Sequence, residues 1–222
     1  TYLPAFSPNV FTNELVGATG SVVTAIPLRQ RVSKNPPASS QTASGPQNKE
    51  RPESVTIISL NASKEETELE VPYDPQRIAI LDMASLDILD ALGVGDRVVG
   101  TASTSLEYLQ DYINDDIANL GTIKEADLEA VMASEPDVIF IGGRLASAYD
   151  ALSEIAPVVY LATDPETGVV ESVRKNASII ASMFGLESRV EELMAGFDAR
   201  IKALSAFSSG KTAIVGMSTS GG

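Results

Sequence analysis

Between residues 77 and 162, short apolar runs alternate with helical patterns, and that alternation leaves few folds open. The runs are "RIAIL" (77–81), "RVVGT" (97–101), "DVIFI" (137–141) and "VVYLA" (158–162). Each is apolar throughout rather than at every second residue, so each reads as a strand covered on both faces. Between them lie an amphipathic helix from about Ser85 to Leu92 that ends at Gly93, short helices within 105–133, and a helix over 145–155. In "EADLEAVMAS", Leu128, Val131 and Met132 share one helical face. Strands and helices in this order predict an α/β fold with a parallel sheet, its helices packed on both sides.

The flanks have different patterns. Residues 1–30 carry little beyond the weak apolar stretch Val22 to Leu28, and residues 31–54 are rich in Pro, Ser, Asn, Gln and Lys. Such a segment buries too little apolar surface to offset its ordering entropy, so 1–54 reads as a flexible N-terminal tether. "VTIISL" and "TELEV" around the polar turn "NASKEE" predict a hairpin over 55–71, ended by Pro72 and Pro75. It belongs with the lobe, giving one unit over 55–165. Two helical patterns follow within 166–208, the first over 166–184 and the second over 187–208, separated by Gly185. The second carries Val190, Leu193, Met194, Phe197, Ile201 and Leu204 at i, i+3, i+4 spacing. "KTAIVGM" (211–217) opens a new strand pattern, so 209–222 reads as the start of a second, truncated lobe. The first residue is Thr1, which suggests processing or a fragment.

Composition removes several functions. A formal charge of −14 argues against nucleic acid, whose binders present basic surfaces. Cysteine and histidine are both absent, which excludes disulfides, thiolate chemistry, histidine-based metal sites and Ser-His-Asp triads. No stretch reaches the roughly 18 consecutive apolar residues of a membrane span. No Gly-rich phosphate loop follows the first strand, so no cofactor is implied.

In an open parallel sheet, ligands bind beyond the carboxyl ends of the strands. Those ends are Asp82-Met83, Thr101 to Thr104, Gly142-Gly143-Arg144 and Thr163-Asp164. Only the third offers a cation. Gly142 and Gly143 allow a tight turn and close backbone approach. Arg144 falls at the start of a predicted helix, where the dipole disfavours positive charge, so an anionic partner is the natural reading. Asp82, Asp87 and Asp90 lie on or near one helix and suit capping or solvation better than metal binding; Tyr149 and Tyr160 read as packing residues.

The segments "VPYDPQRIAILDMASLDILDALGVGDRVVG" and "LGTIKEADLEAVMASEPDVIFIGGRLASAYDALSEIAPVVYL" resemble the iron-siderophore substrate-binding proteins of ABC importers, above all the catecholate or petrobactin-type binders. The resemblance covers about residues 55 to 217. It implies the class III periplasmic-binding-protein architecture: two α/β lobes joined by one long helix (187–208 here), with the ferric siderophore between them. It further implies a non-enzymatic, monomeric, extracytoplasmic protein, periplasmic or lipid-anchored at the cell membrane. By position, Arg144 matches an arginine facing the anionic complex, and Glu129 a surface glutamate that docks on the permease. Gly142, Gly143, Met83, Thr101, Ser103 and Thr104 complete the expected ligand surface. The basic residue usual after the second strand is replaced by Thr101, Ser103 and Thr104, and the lipid-bearing cysteine is absent. A cobalamin or haem binder of the same architecture, or a flavodoxin-like enzyme domain, are the alternative readings.

Overall fold

The computed structural model describes residues 52–212. The proposed tether up to residue 51 and the strand pattern from residue 213 onward lie outside the described residues.

The hairpin forms where expected: β1 (Ser54–Leu60) pairs antiparallel with β2 (Glu66–Pro72). The turn between them is closed by Asn61, whose side-chain oxygen accepts from the backbone N–H groups of Ser63 and Glu65 at 2.9 and 3.0 Å. The central sheet contains β3 (Ile78–Ile80), β4 (Val98–Thr101), β5 (Ala118–Asn119), β6 (Val138–Ile141) and β7 (Val158–Tyr160), all parallel, in the order β5-β4-β3-β6-β7. The chain therefore starts at the centre, runs outward through β4 and β5, and then returns to the far side of β3. Strands β3 and β6 have no solvent access at any residue. Successive side chains point to opposite faces, so helices cover both sides of the sheet.

Among the described residues five α-helices connect and cover these strands: α1 (Met83–Leu92), α2 (Leu128–Ala133), α3 (Tyr149–Ser153), α4 (Val169–Ser182) and α5 (Glu187–Ser208). The first begins two residues before its apolar pattern suggests, because Asp82 caps it by accepting the backbone N–H of Ser85 at 3.0 Å. It ends at Gly93, whose left-handed φ of 83° is a conformation glycine adopts without strain. Helix α4 packs on α1, and α5 on α4.

Three expectations change. The helix expected over 145–155 is a 3-10 turn at Gly143–Ala148 followed by the single α turn of α3. The short fifth strand β5 was not visible in the sequence, since two residues carry no periodicity. The shared face of α2 is not buried as a unit: Val131 is, but Leu128 and Met132 are 39% and 63% exposed. Likewise α5 buries Val190 and Met194 against α4, while Ile201, Leu204 and Phe207 face solvent.

An edge strand needs cover for its outward N–H groups. The hairpin supplies it at β7. Ser59, 3% exposed, accepts the backbone N–H of Tyr160 at 2.9 Å. Ser59→Ala would leave that buried N–H without a partner. The expected loss is about 1–3 kcal/mol, read as a fall in thermal midpoint of about 2–10 °C by circular dichroism.

Candidate functional site

The register of the sheet aligns three strand ends in a row. The backbone N–H of Leu81, just past β3, donates to Phe140 O of β6 at 2.8 Å. Ala102 N, just past β4, donates to Ile80 O of β3 at 2.9 Å. The chain leaves β3 toward β4 on one side and returns as β6 on the other, so the β3–β6 boundary is the topological switch point, beyond which open parallel sheets bind ligands.

At this boundary Asp82 and Gly142 touch. A Cβ built on Gly142 would stand 2.6 Å from Asp82 Oδ1 and 3.3 Å from its Cγ. Asp82 is 4% exposed, and its carboxylate also accepts the hydroxyl of Ser85 at 2.9 Å. It is therefore pinned against the backbone of the opposite loop. The backbone of Gly142 is extended, at φ −105° and ψ 175°. Its glycine is thus required by proximity to Asp82, not by an unusual turn as the sequence suggests. Gly143 is different: a Cβ there would meet only Tyr160 Oη, at 3.4 Å.

Arg144 projects from this same loop and is exposed. It lies within a 3-10 turn, so the helix-dipole argument made from the sequence lapses, because one such turn has little macrodipole. Its setting supplies a better argument. Arg97 pairs with Asp74, Arg174 with Asp198 and Glu171, and Arg189 with Glu192. Arg77 donates to the backbone carbonyls of Ser134 and Glu135. Among the described residues Arg144 has no such partner, nor does Arg200 on α5, but only Arg144 stands at a strand end. Its guanidinium fork is exposed at the switch point.

The other expected ligand residues scatter in exposure. Met83 (3%) and Thr101 (2%) are buried at the ends of β3 and β4. Ser103 is exposed, with its hydroxyl donated to Gly121 O at 3.0 Å, and Thr104 Oγ1 accepts Leu106 N at 3.2 Å. Glu129 stands exposed in the first turn of α2, a helix capped by Asp127 and remote in sequence from the crevice loops. Tyr160 is buried, as a packing residue should be, and burial raises its hydroxyl pKa above the usual tyrosine value. The contact of Asp82 with the β6 loop escaped the sequence reading, which placed Asp82 at a strand end and as a capping or solvated residue. Its partner is some 60 positions away and leaves no local signal. Among the described residues no group of three or more acidic side chains could hold a metal ion, and no helix there is long and apolar enough to cross a membrane.

The sequence pattern of the periplasmic binding protein family matches residues 78–221. The chain belongs to that family. It is 36% identical to the petrobactin-binding protein YclQ of Bacillus subtilis over 129 residues, which covers 58% of this chain and 40% of that protein. It is 30% identical to the ferric-anguibactin-binding protein FatB of Vibrio anguillarum, with 64% of this chain and 46% of the relative covered. The crystal structure of the Bacillus protein superposes with a TM-score of 0.64 at 31% identity, over 70% of this chain and 54% of the other. The periplasmic catecholate-siderophore binding protein VctP of Vibrio cholerae gives 0.61 at 26% identity, over 70% and 55%. The chain thus spans about half the length of the relatives it matches, and these neighbours bear out the class III architecture for the lobe described.

The two glycines separate structural from functional demand. Gly142→Ala should force Asp82 off its cap and cost about 1–3 kcal/mol. Gly143→Ala should stay within about 0.5 kcal/mol of the parent. Urea unfolding of both variants is the check; equal stability would mean the loop yields freely at Gly142.

Proposed function

We propose that this chain is the first lobe and joining helix of an extracytoplasmic receptor that captures a ferric siderophore and delivers it to an ABC permease. The observation that carries the reading is Arg144: an exposed, unpaired guanidinium beside the switch-point crevice of an otherwise acidic protein. A fork of N–H donors suits the paired oxygens of a catecholate or carboxylate. The relatives support the ligand class, since two are named for petrobactin and ferric anguibactin and one for catecholate siderophores.

In this reading the siderophore brings its own iron, already chelated, so the protein supplies no metal ligands from this lobe. The backbone at Gly143 has room for close approach, Arg144 holds the complex by charge-assisted hydrogen bonds, and Met83, Thr101, Ser103 and Thr104 form the rest of the floor. Nothing in this arrangement calls for bond-making chemistry, and the protein acts as a monomeric carrier rather than an enzyme. Residues 1–54 act as the tether and 55–165 as the lobe. Residues 166–208, with α5 running about 33 Å at 1.5 Å per residue, reach toward a second lobe that begins within 209–222. The family supports a receptor outside the cytoplasm, periplasmic or lipid-anchored on the outer face of the cell membrane. Glu129, on the exposed face of α2, meets basic residues of the permease.

Titration of the full-length receptor with a ferric bis-catecholate, followed by fluorescence quenching, tests this directly. Arg144→Ala should weaken binding by about 10- to 100-fold with the thermal midpoint nearly unchanged, and Arg144→Lys should recover only part of the loss. An unchanged affinity with a lowered midpoint would make Arg144 a structural residue. Tight cobalamin or haem binding, with indifference to the ferric chelate, would reassign the ligand.

Glu129→Arg should leave the titration unchanged while iron uptake in cells falls, because a rim charge acts on docking and association rate. A loss of affinity with normal uptake would reverse its assignment.

A further inference from the structure

Tyr160 is the last residue of β7 and is 2% exposed. Its backbone N–H is satisfied by Ser59. Its hydroxyl is different: among the described residues no group hydrogen-bonds Tyr160 Oη. A buried tyrosine usually finds a partner for its O–H. Tyr112 does so here, donating to Asp90 Oδ1 at 2.8 Å. Nor is Tyr160 Oη sealed within the core, since it keeps a small contact with solvent.

The place where that oxygen emerges is fixed by the sheet. Strands β6 and β7 run parallel with Ile141 opposite Tyr160. Gly143 lies two residues further on, roughly 6–7 Å along the strand direction. A Cβ built on Gly143 would stand 3.4 Å from Tyr160 Oη. The ring therefore leans along the sheet past the end of β7 and brings its hydroxyl to the Gly142-Gly143-Arg144 loop. Gly143 is exposed and presents only hydrogen to the oxygen, and Arg144 is the next residue in the chain.

Burial raises the pKa of this hydroxyl, with no charged neighbour behind the shift, so it stays protonated. It is a neutral donor set beside the charged donors of Arg144. An O–H given to a charged oxygen is roughly twice as strong as one given to a neutral oxygen. Without a ligand the hydroxyl has lost most of its water and gained no protein acceptor, a cost that a ligand oxygen would offset. We infer that Tyr160 is a ligand-binding residue, its hydroxyl donating to an oxygen of the ferric chelate beside Gly143 while Arg144 pairs with the anionic charge. Gly143 then has a functional reason to be glycine that packing does not supply, because a methyl group there would cover the donor.

The inference rests on the siderophore reading, and the experiment separates the two. The full-length receptor is titrated with a ferric bis-catecholate by isothermal calorimetry, so that loss of a tyrosine fluorophore does not alter the signal. Tyr160→Phe keeps the ring and removes one oxygen. It should weaken binding by about 10-fold and leave the thermal midpoint unchanged or slightly raised, because an unpartnered hydroxyl leaves the interior. Gly143→Ala should weaken binding in the wild type and add little in the Tyr160→Phe background, where its methyl has no donor to cover. An unchanged affinity in Tyr160→Phe, or a loss matched by a fall in midpoint, would return Tyr160 to packing alone, though binding that still depends on Arg144 keeps the receptor assignment. Fully additive losses in the double variant would mean that Gly143 and Tyr160 act apart, and the shared contact would fail. If the chelate does not bind the wild-type protein, the siderophore reading itself falls, and the assignment of Tyr160 with it.

Discussion

Two strands, β3 and β6, are shut off from water on both faces, and the rest of the lobe is arranged around that burial. Ile78, Ala79 and Ile80 lie beside Val138 to Ile141, all without measurable exposure. A strand buried on both sides cannot turn a polar side chain toward either face without desolvating it. The polar groups are therefore displaced to the strand ends. Asp82 and the Gly142-Gly143-Arg144 loop sit one step past the carboxyl ends because that is where the apolar layer stops. The candidate site lies at the strand ends for the same reason that the sheet is stable.

The same burial dictates how the edges are treated. β7 would expose backbone N–H groups, and the hairpin covers one of them through Ser59, while Lys175 of α4 pairs with Glu66 to hold the hairpin down. At the other edge β5 is only two residues long, which limits the unpaired backbone it can present. At the crevice, closeness is set by side chain against backbone. Asp82, held by the cap of α1, leaves room at Gly142 for a hydrogen and nothing larger. Helix capping and loop packing are thus one interaction at this point, and the crevice inherits its shape from both.

For an acidic protein to hold an anion, as proposed for Arg144, the field problem must be solved locally. Exposed charges beyond roughly 8 Å are largely screened at physiological ionic strength. The distant carboxylates behind the charge of −14 therefore count for little at the crevice, and the nearest unpaired cation counts for most. Elsewhere Arg77, Arg97, Arg174 and Arg189 are tied to carboxylates or to backbone carbonyls, and Arg97 additionally lies over the ring of Phe184 at 5.3 Å. Those pairings consume positive charge for structure. Arg144 stands outside them at a strand end, as does Arg200 on the exposed α5.

How much of this could be read in advance depends on the range over which each feature is encoded. The strands β3, β4, β6 and β7, the helices α1, α4 and α5, and the hairpin were legible within one or two residues at most ends. Each is a local period or a capped run, and burial acts on neighbours along the chain. Arg144 was legible as a cation at a strand end for the same local reason. The parallel order β5-β4-β3-β6-β7 was not, nor was β5 itself, because pairing partners are chosen by crossover geometry and not by any pattern within a strand. The sequence also misread why Gly142 is glycine. It offers turning freedom as the local explanation, whereas the backbone there is ordinary and the obstacle is Asp82, brought across from another loop. Buried polar contacts of this kind are decided only when the sheet closes, since each atom's neighbour comes from a distant part of the chain. The sequence alone determined which residues are buried in strands and which charge stands at a strand end. Only the tertiary structure decided which strand ends face one another, and so which groups share a site.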